Sequence, residues 1–142
     1  MTEFLDSNVL VYSHDSSAGA KGEAARSLLA RLWQEHAGAI SVQVLQEFVV
    51  VATTKVPSPI DLDTAARIVT AYGAWPTHEP SADDVVAAIE LVRRYGISFW
   101  DSMIVRSASR LGCEVLWTED LNPGQIYDGV RAEDPFADTR WT

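Results

Sequence analysis

Cysteine is almost absent. Cys113 stands alone, which leaves the chain without an internal disulfide or a cysteine-based zinc site. Lysine is nearly as scarce: Lys21 and Lys55 are the only two, and the rest of the 11 basic residues are arginine. No apolar run approaches the ~18–20 residues needed to span a bilayer, the densest stretch being Val49 to Ala52. Met1 to Asp6 carries no basic residue and reaches acids at Glu3 and Asp6, unlike a secretory signal. A cytoplasmic protein with no membrane role is the expectation. Positive charge is also short, since 20 acids leave a net charge of −9. Such a field repels nucleic acid at long range and argues against a basic DNA-binding module. Bound divalent cations reverse the local sign, so an enzyme that meets nucleic acid through metal remains open.

What is present is ordinary for a globular chain. The 142 residues, 47% hydrophobic and 22% charged, fit one domain over 1–142 that buries about two-thirds of its unfolded surface. There is no repeat, low-complexity tract or linker. Thr2 to Leu5 reads as a strand ending at Asp6, and Asn8 to Tyr12 as a single helical turn. Gly22 to Glu35 carries Ala25, Leu28, Leu29 and Leu32 at helical spacing. Ala39-Ile40 is a short strand. Val42 to Thr54 is β-rich in composition, but Gln43, Gln46 and Glu47 form one polar stripe, which favours helix.

Beyond Pro57 and Pro59, Asp61 to Tyr72 predicts a helix and Trp75 to Glu79 an extended piece. Ser81 and Asp84 match a capping box for Ala82 to Tyr95, stopped by Gly96. Ser98 opens a helix to Leu111, Glu114 to Thr118 is a buried-type strand, and Val130 to Ala132 a last edge strand. Short strands separated by helices predict an α/β fold with a small, mostly parallel sheet.

Ligands of open α/β sheets gather beyond the carboxyl ends of the strands. Asp6 and Asp120 fall there. Glu47 and Asp101 stand among apolar neighbours, Leu45 and Phe48 for one and Phe99, Trp100 and Met103 for the other. Each acid also has a plain structural role open to it. Asp6 suits a helix cap, Asp120 a turn, Asp101 a capping box with Ser98, and Glu47 a solvated stripe. If the four converge, each close pair of charges costs on the order of 4 kcal/mol at an effective dielectric of 20, and Mg²⁺ or Mn²⁺ would supply the compensation. His14, His36 and His78 show no metal-ligand spacing and are expected in solvated positions.

Four segments, Phe4-Leu5-Asp6-Ser7-Asn8, Val44-Leu45-Gln46-Glu47-Phe48, Phe99-Trp100-Asp101-Ser102-Met103-Ile104 and Leu116-Trp117-Thr118-Glu119-Asp120-Leu121, resemble those of PIN-domain ribonucleases. Their order and spacing are most similar to the toxin members of VapBC toxin–antitoxin pairs. The resemblance implies a three-layer α/β/α sandwich, metal-dependent cleavage of RNA, a cognate antitoxin and a homodimer. Matched position by position, Asp6, Glu47, Asp101 and Asp120 form the catalytic acidic cluster. Thr118 and Asn8 are its supporting polar residues. The segment after Leu121 matches poorly, and Asp128 to Thr142 is left as a last strand and a loose end.

On that footing Asp6, Asp101 and Asp120 are the expected ligands of one or two Mg²⁺ or Mn²⁺ ions. Glu47 is expected to orient a water for attack on the phosphodiester. Cleavage by water leaves 5′-phosphate and 3′-hydroxyl ends. Candidate RNA contacts are Arg93, Arg94, Arg106 and Arg110, with pairing to surface acids as the plainer role, and Trp100, for which core packing is the plainer one. An antitoxin tail would place a basic side chain among the acids, with Ala25–Leu32 or Val49–Ala52 as groove or dimer face. Plain core packing explains both stretches equally well.

Two rival readings remain. One is an aspartyl-phosphate phosphotransferase, which wants a late-chain lysine that this sequence lacks. The other is a catalytically silent PIN-like binding scaffold.

Overall fold

A computed structural model describes residues 1–137. Its elements are β1 (Glu3–Leu5), α1 (Ser7–His14), α2 (Ala20–Glu35), β2 (Gly38–Ser41), α3 (Val42–Thr54) and α4 (Leu62–Tyr72), then β3 (Thr77–His78), α5 (Ala82–Tyr95), α6 (Phe99–Arg110), β4 (Val115–Trp117), β5 (Ile126–Tyr127) and β6 (Val130–Glu133). The strands form one sheet in the order β3-β2-β1-β4-β6-β5. All neighbouring pairs run parallel except β5 with β6. Helices α1 to α4 pack among themselves and α5 packs on α6, giving two helical groups around the sheet. This is the α/β architecture with a mostly parallel sheet that the sequence predicts.

Local chemistry sets the boundaries. The Asp84 carboxylate accepts from the Ser81 amide at 2.9 Å, and Gly96 closes α5 with φ of 66°, as the capping box requires. The Ser41 and Ser98 hydroxyls accept from the amides of Val44 and Asp101 and start α3 and α6. The apolar face of α2, Ala25, Leu28, Leu29 and Leu32, is buried in the core against Phe4, Leu10 and Ile40. It is therefore core rather than groove. No helix among the described residues is long and apolar enough to cross a membrane.

Four expectations need correction. First, α1 runs two turns, Ser7 to His14, rather than a single turn from Asn8 to Tyr12, with Asp6 as its cap. Second, the strand at 130–133 lies inside the sheet, and the edge is β5. Asp128 and Gly129 both have positive φ, 49° and 82°, the geometry of a two-residue hairpin turn that folds β5 back along β6. Residues 138–142 of the expected loose end lie outside the described residues. Third, two histidines are not solvated. His14 packs edge-on against Phe48 and Tyr72, and burial holds its pKa below the usual value. His78 is held between the Ser107 hydroxyl at 2.8 Å and Asp84 at 3.2 Å. Fourth, Trp100 is 64% exposed rather than core.

One glycine is fixed by close approach. A Cβ on Gly38 would lie 2.5–2.7 Å from three ring carbons of Trp75, which is itself buried. Gly38→Ala is expected to destabilise the fold by about 1–3 kcal/mol through overpacking, measured by urea unfolding. An unchanged midpoint would mean that the indole moves aside freely.

Candidate metal centre

The carboxyl ends of β1 and β4 lie side by side, with Leu5 paired to Trp117. The residues that follow, Asp6 and Thr118, therefore meet. Asp6 is 4% exposed, and both of its oxygens are engaged. One accepts from the Ser7 amide at 2.7 Å, the other from the Thr118 hydroxyl at 2.8 Å. Thr118 in turn accepts from the Asp120 amide at 3.1 Å, and the Asn8 side chain donates to Asp120 at 3.0 Å. Cap, strand end and turn are thus tied into one unit. The plain roles foreseen for Asp6 and for the Thr118–Asp120 turn are real, and they coexist with the cluster.

Asp101 arrives from the first turn of α6, whose start is fixed by Ser98. One carboxylate oxygen from each of Asp6, Asp101 and Asp120 can be chosen so that all three lie within 4.8 Å of one another. Glu47 stands outside this triangle on α3, close enough that Asp101 and Asp120 act on it electrostatically. Its carboxylate accepts from Gln43 at 3.2 Å, and the same amide donates to the Trp100 carbonyl at 3.3 Å. Gln43 thereby ties α3 to the start of α6. The sequence stripe showed Gln43 only as a neighbour of Glu47.

The electrostatics report an uncompensated site. Burial lifts Asp6 from 3.8 to about 7 against the opposing hydrogen bonds of Thr118 and Ser7, with Asp120 and Glu47 adding repulsion. Asp101, Asp120 and Glu47 are also held above their ordinary values, in each case first by partial burial. Among the described residues, no lysine or arginine forms an ion pair with any of the four. Convergent carboxylate oxygens without a protein cation are the donor set of a hard divalent ion. The residues present fit Mg²⁺ or Mn²⁺ and do not suit a soft metal.

The arginines are committed elsewhere. Arg106 pairs with the buried Asp84 at 2.8 Å, Arg110 lies 4.0 Å from the same acid, and Arg93 pairs with Glu90. The plainer pairing role describes Arg106 and Arg93. Arg94 lies over the Tyr95 ring. A residue that sequence reasoning passed over is Glu119, which accepts from Tyr12 and from Lys21, both at 2.9 Å, and clamps the loop carrying Asp120. Its partners lie about 100 residues away in sequence, and no local pattern announces them. Thr118→Val removes the hydroxyl that serves both Asp6 and Asp120. Metal affinity is expected to fall about 10- to 100-fold with the fold retained, read by calorimetric titration with Mn²⁺.

No curated protein matches the sequence. Solved structures do match in fold. A toxin–antitoxin complex from Klebsiella pneumoniae aligns with TM-score 0.66 and 20% identity, over 94% of this chain and 98% of that one. VapC20 of Mycobacterium tuberculosis, a toxin that cleaves the sarcin–ricin loop, aligns with TM-score 0.62 and 17% identity, over 81% and 87%. DNA-bound VapBC from Salmonella typhimurium aligns with TM-score 0.62 and 20% identity, over 95% and 98%. The sequence model of the PIN domain matches residues 4–128, a span that includes all four acids. With most of its length matched and the same fold as those structures, the chain belongs to the PIN domain family.

Proposed function

We propose that the chain is a metal-dependent endoribonuclease, the toxin of a toxin–antitoxin pair. The observation that carries this reading is the triangle of Asp6, Asp101 and Asp120 oxygens without a protein cation. Those three residues are the proposed ligands of Mg²⁺ or Mn²⁺. When bound, such an ion supplies Lewis acidity and a lowered water pKa at the reacting phosphate. Glu47, half-buried and hydrogen-bonded by Gln43, is the proposed acceptor of the attacking water's proton. Thr118 and Asn8 hold Asp6 and Asp120 at fixed separation, which limits reorganisation during the reaction.

Engagement of both Asp6 oxygens by Ser7 and Thr118 suits a fixed ligand better than a phosphorylated nucleophile. The late-chain lysine an aspartyl-phosphate needs is also missing, since the two lysines are Lys21, bound to Glu119, and Lys55 at the end of α3. The Klebsiella and Salmonella neighbours are toxin–antitoxin and VapBC complexes, and a cognate antitoxin is proposed here by that likeness. For a homodimer, the exposed Val85, Val86 and Ile89 of α5 are the proposed contact face.

The test is digestion of total cellular RNA by the partner-free protein in Mg²⁺ or Mn²⁺, with EDTA alongside. Discrete fragments with 5′-phosphate ends, absent in EDTA, are expected. Fragments ending in 2′,3′-cyclic phosphate would overturn the mechanism, because they require the ribose 2′-hydroxyl as nucleophile. A folded, metal-bound protein that cuts nothing would favour the binding scaffold.

A further inference from the structure

Next to the acids lies an open groove of about 380 Å³ between α3 and the start of α6, with Gln46, Glu47, Val50, Val51, Lys55 and Trp100 among its walls. Its chemistry changes along its length. Glu47 marks the end toward the acids, Val50 and Val51 give an apolar floor, and Lys55 caps α3 beyond them. Trp100 forms a wall with its indole 64% exposed, backed edge-on by Phe99 at 5.2 Å between ring centres. The wall is anchored, because its carbonyl accepts from Gln43 of the opposite helix.

Two features are out of place in a solvated surface. A large flat aromatic is left uncovered one residue from Asp101. Lys55 has no carboxylate within 4.0 Å among the described residues, in a chain where acids outnumber bases 20 to 11 and the other lysine is bound to Glu119.

We infer that this groove is a base-binding subsite for single-stranded RNA. Resting on the nuclease reading, it deepens that reading by naming what the site holds beside the cut. The unstacked base of a nucleotide flanking the scissile phosphate lies on the Trp100 indole over Val50 and Val51. The exposed Gln46 amide offers both a donor and an acceptor to the base edge. Lys55 meets the phosphate on the far side of that nucleotide. Charge complementarity favours this occupant: Lys55 at the far end of the apolar slot suits the outer phosphate, and the divalent ion proposed at the acids would meet the scissile one. Every base has a π-face, so stacking gives affinity without demanding one sequence. A duplex, whose bases are already stacked, cannot fill the slot.

The experiment is fluorescence anisotropy with a labelled single-stranded RNA octamer, with Ca²⁺ in place of Mg²⁺ so that binding is read apart from cleavage. The proteins are wild type, Trp100→Ala, Trp100→Phe and Lys55→Met. Loss of a base–aromatic stack predicts roughly 5- to 150-fold weaker binding for Trp100→Ala, and binding within about 3-fold of wild type for Trp100→Phe. Lys55→Met is expected to weaken binding and flatten its salt dependence. Wild-type affinity in Trp100→Ala overturns the subsite and leaves the groove to an antitoxin segment, and so does failure of the wild type to bind. Trp100-dependent binding by a protein that cuts no RNA in Mg²⁺ overturns the nuclease reading while the subsite stands. Cleavage without Trp100-dependent binding does the reverse.

Discussion

Asp101→Asn is expected to lower RNA cleavage by more than about 100-fold while leaving the fold intact. Outer-sphere partners of metal ligands typically cost 10–100-fold when removed, and a direct ligand costs more. Asn keeps the shape of the side chain and its amide, so the bond from the Asp101 amide to Ser98 that starts α6 survives. What changes is one formal charge in the triangle with Asp6 and Asp120. Repulsion among the remaining acids falls, and the thermal midpoint of the metal-free variant should equal or exceed that of the wild type. Lost activity joined to unchanged or higher stability separates a functional acid from a structural one. Cleavage that survives Asp101→Asn would place the activity elsewhere.

The second large effect is on the dependence of stability on pH. Burial pushes the Asp6 carboxyl up to about 7, from an ordinary value of 3.8. A raised carboxyl means that the folded state holds its proton more tightly than the unfolded chain. Stability from this group is therefore fully present below about pH 4 and is lost as pH rises toward 7. The gap corresponds to on the order of 4 kcal/mol. Glu47, Asp101 and Asp120, raised in the same direction, add to the slope.

Asp84 works oppositely. Held near 2, first by the Ser81 amide and then by Arg106 against the cost of burial, it stabilises above about pH 4, and that contribution is lost as pH falls toward 2. Urea unfolding of the metal-free protein should thus show greatest stability near pH 4–5 and a decline toward pH 8. Mn²⁺, which competes with protons for the same oxygens, should restore stability at pH 8 and do little at pH 5. Asp6→Asn should flatten most of the decline. A metal-free protein equally stable at pH 5 and pH 8 would show that Asp6 is not held protonated by burial.

Much of this structure was legible because its signals are local. Ser81 with Asp84, Ser98 with Asp101, and Gly96 mark helix ends within a few residues. Parallel β1 and β4 then place Asp6 and Thr118 together without further information. The same rule that puts ligands at strand ends pointed to Asp6 and Asp120. Asp101 and Glu47 needed the family resemblance, since nothing in their own segments says which way they face.

The hairpin at Asp128-Gly129 also has a local signal. A two-residue Asp-Gly turn between β-formers is a strong hairpin signal. Trp100 misled because its apolar neighbours and its spacing from Met103, Ile104 and Ser107 suggest core, whereas it stands in the first turn of α6, before the buried stretch begins at Ser102, and is 64% exposed. Lys55 lies eight residues after Glu47, two helical repeats along the face that also carries Gln43 and Val51. Following that stripe to its end would have found the groove. The contacts of His78 with Asp84 and Ser107, and of Glu119 with Lys21, join distant segments and have no counterpart in local pattern.

Calorimetric titration of the partner-free protein with Mn²⁺ at pH 7.5 tests whether Asp6, Asp101 and Asp120 form a divalent-metal centre. Saturable binding, accompanied by proton release and lost in Asp101→Asn, is the expected result. No binding, or binding that Asp101→Asn leaves unchanged, would contradict it.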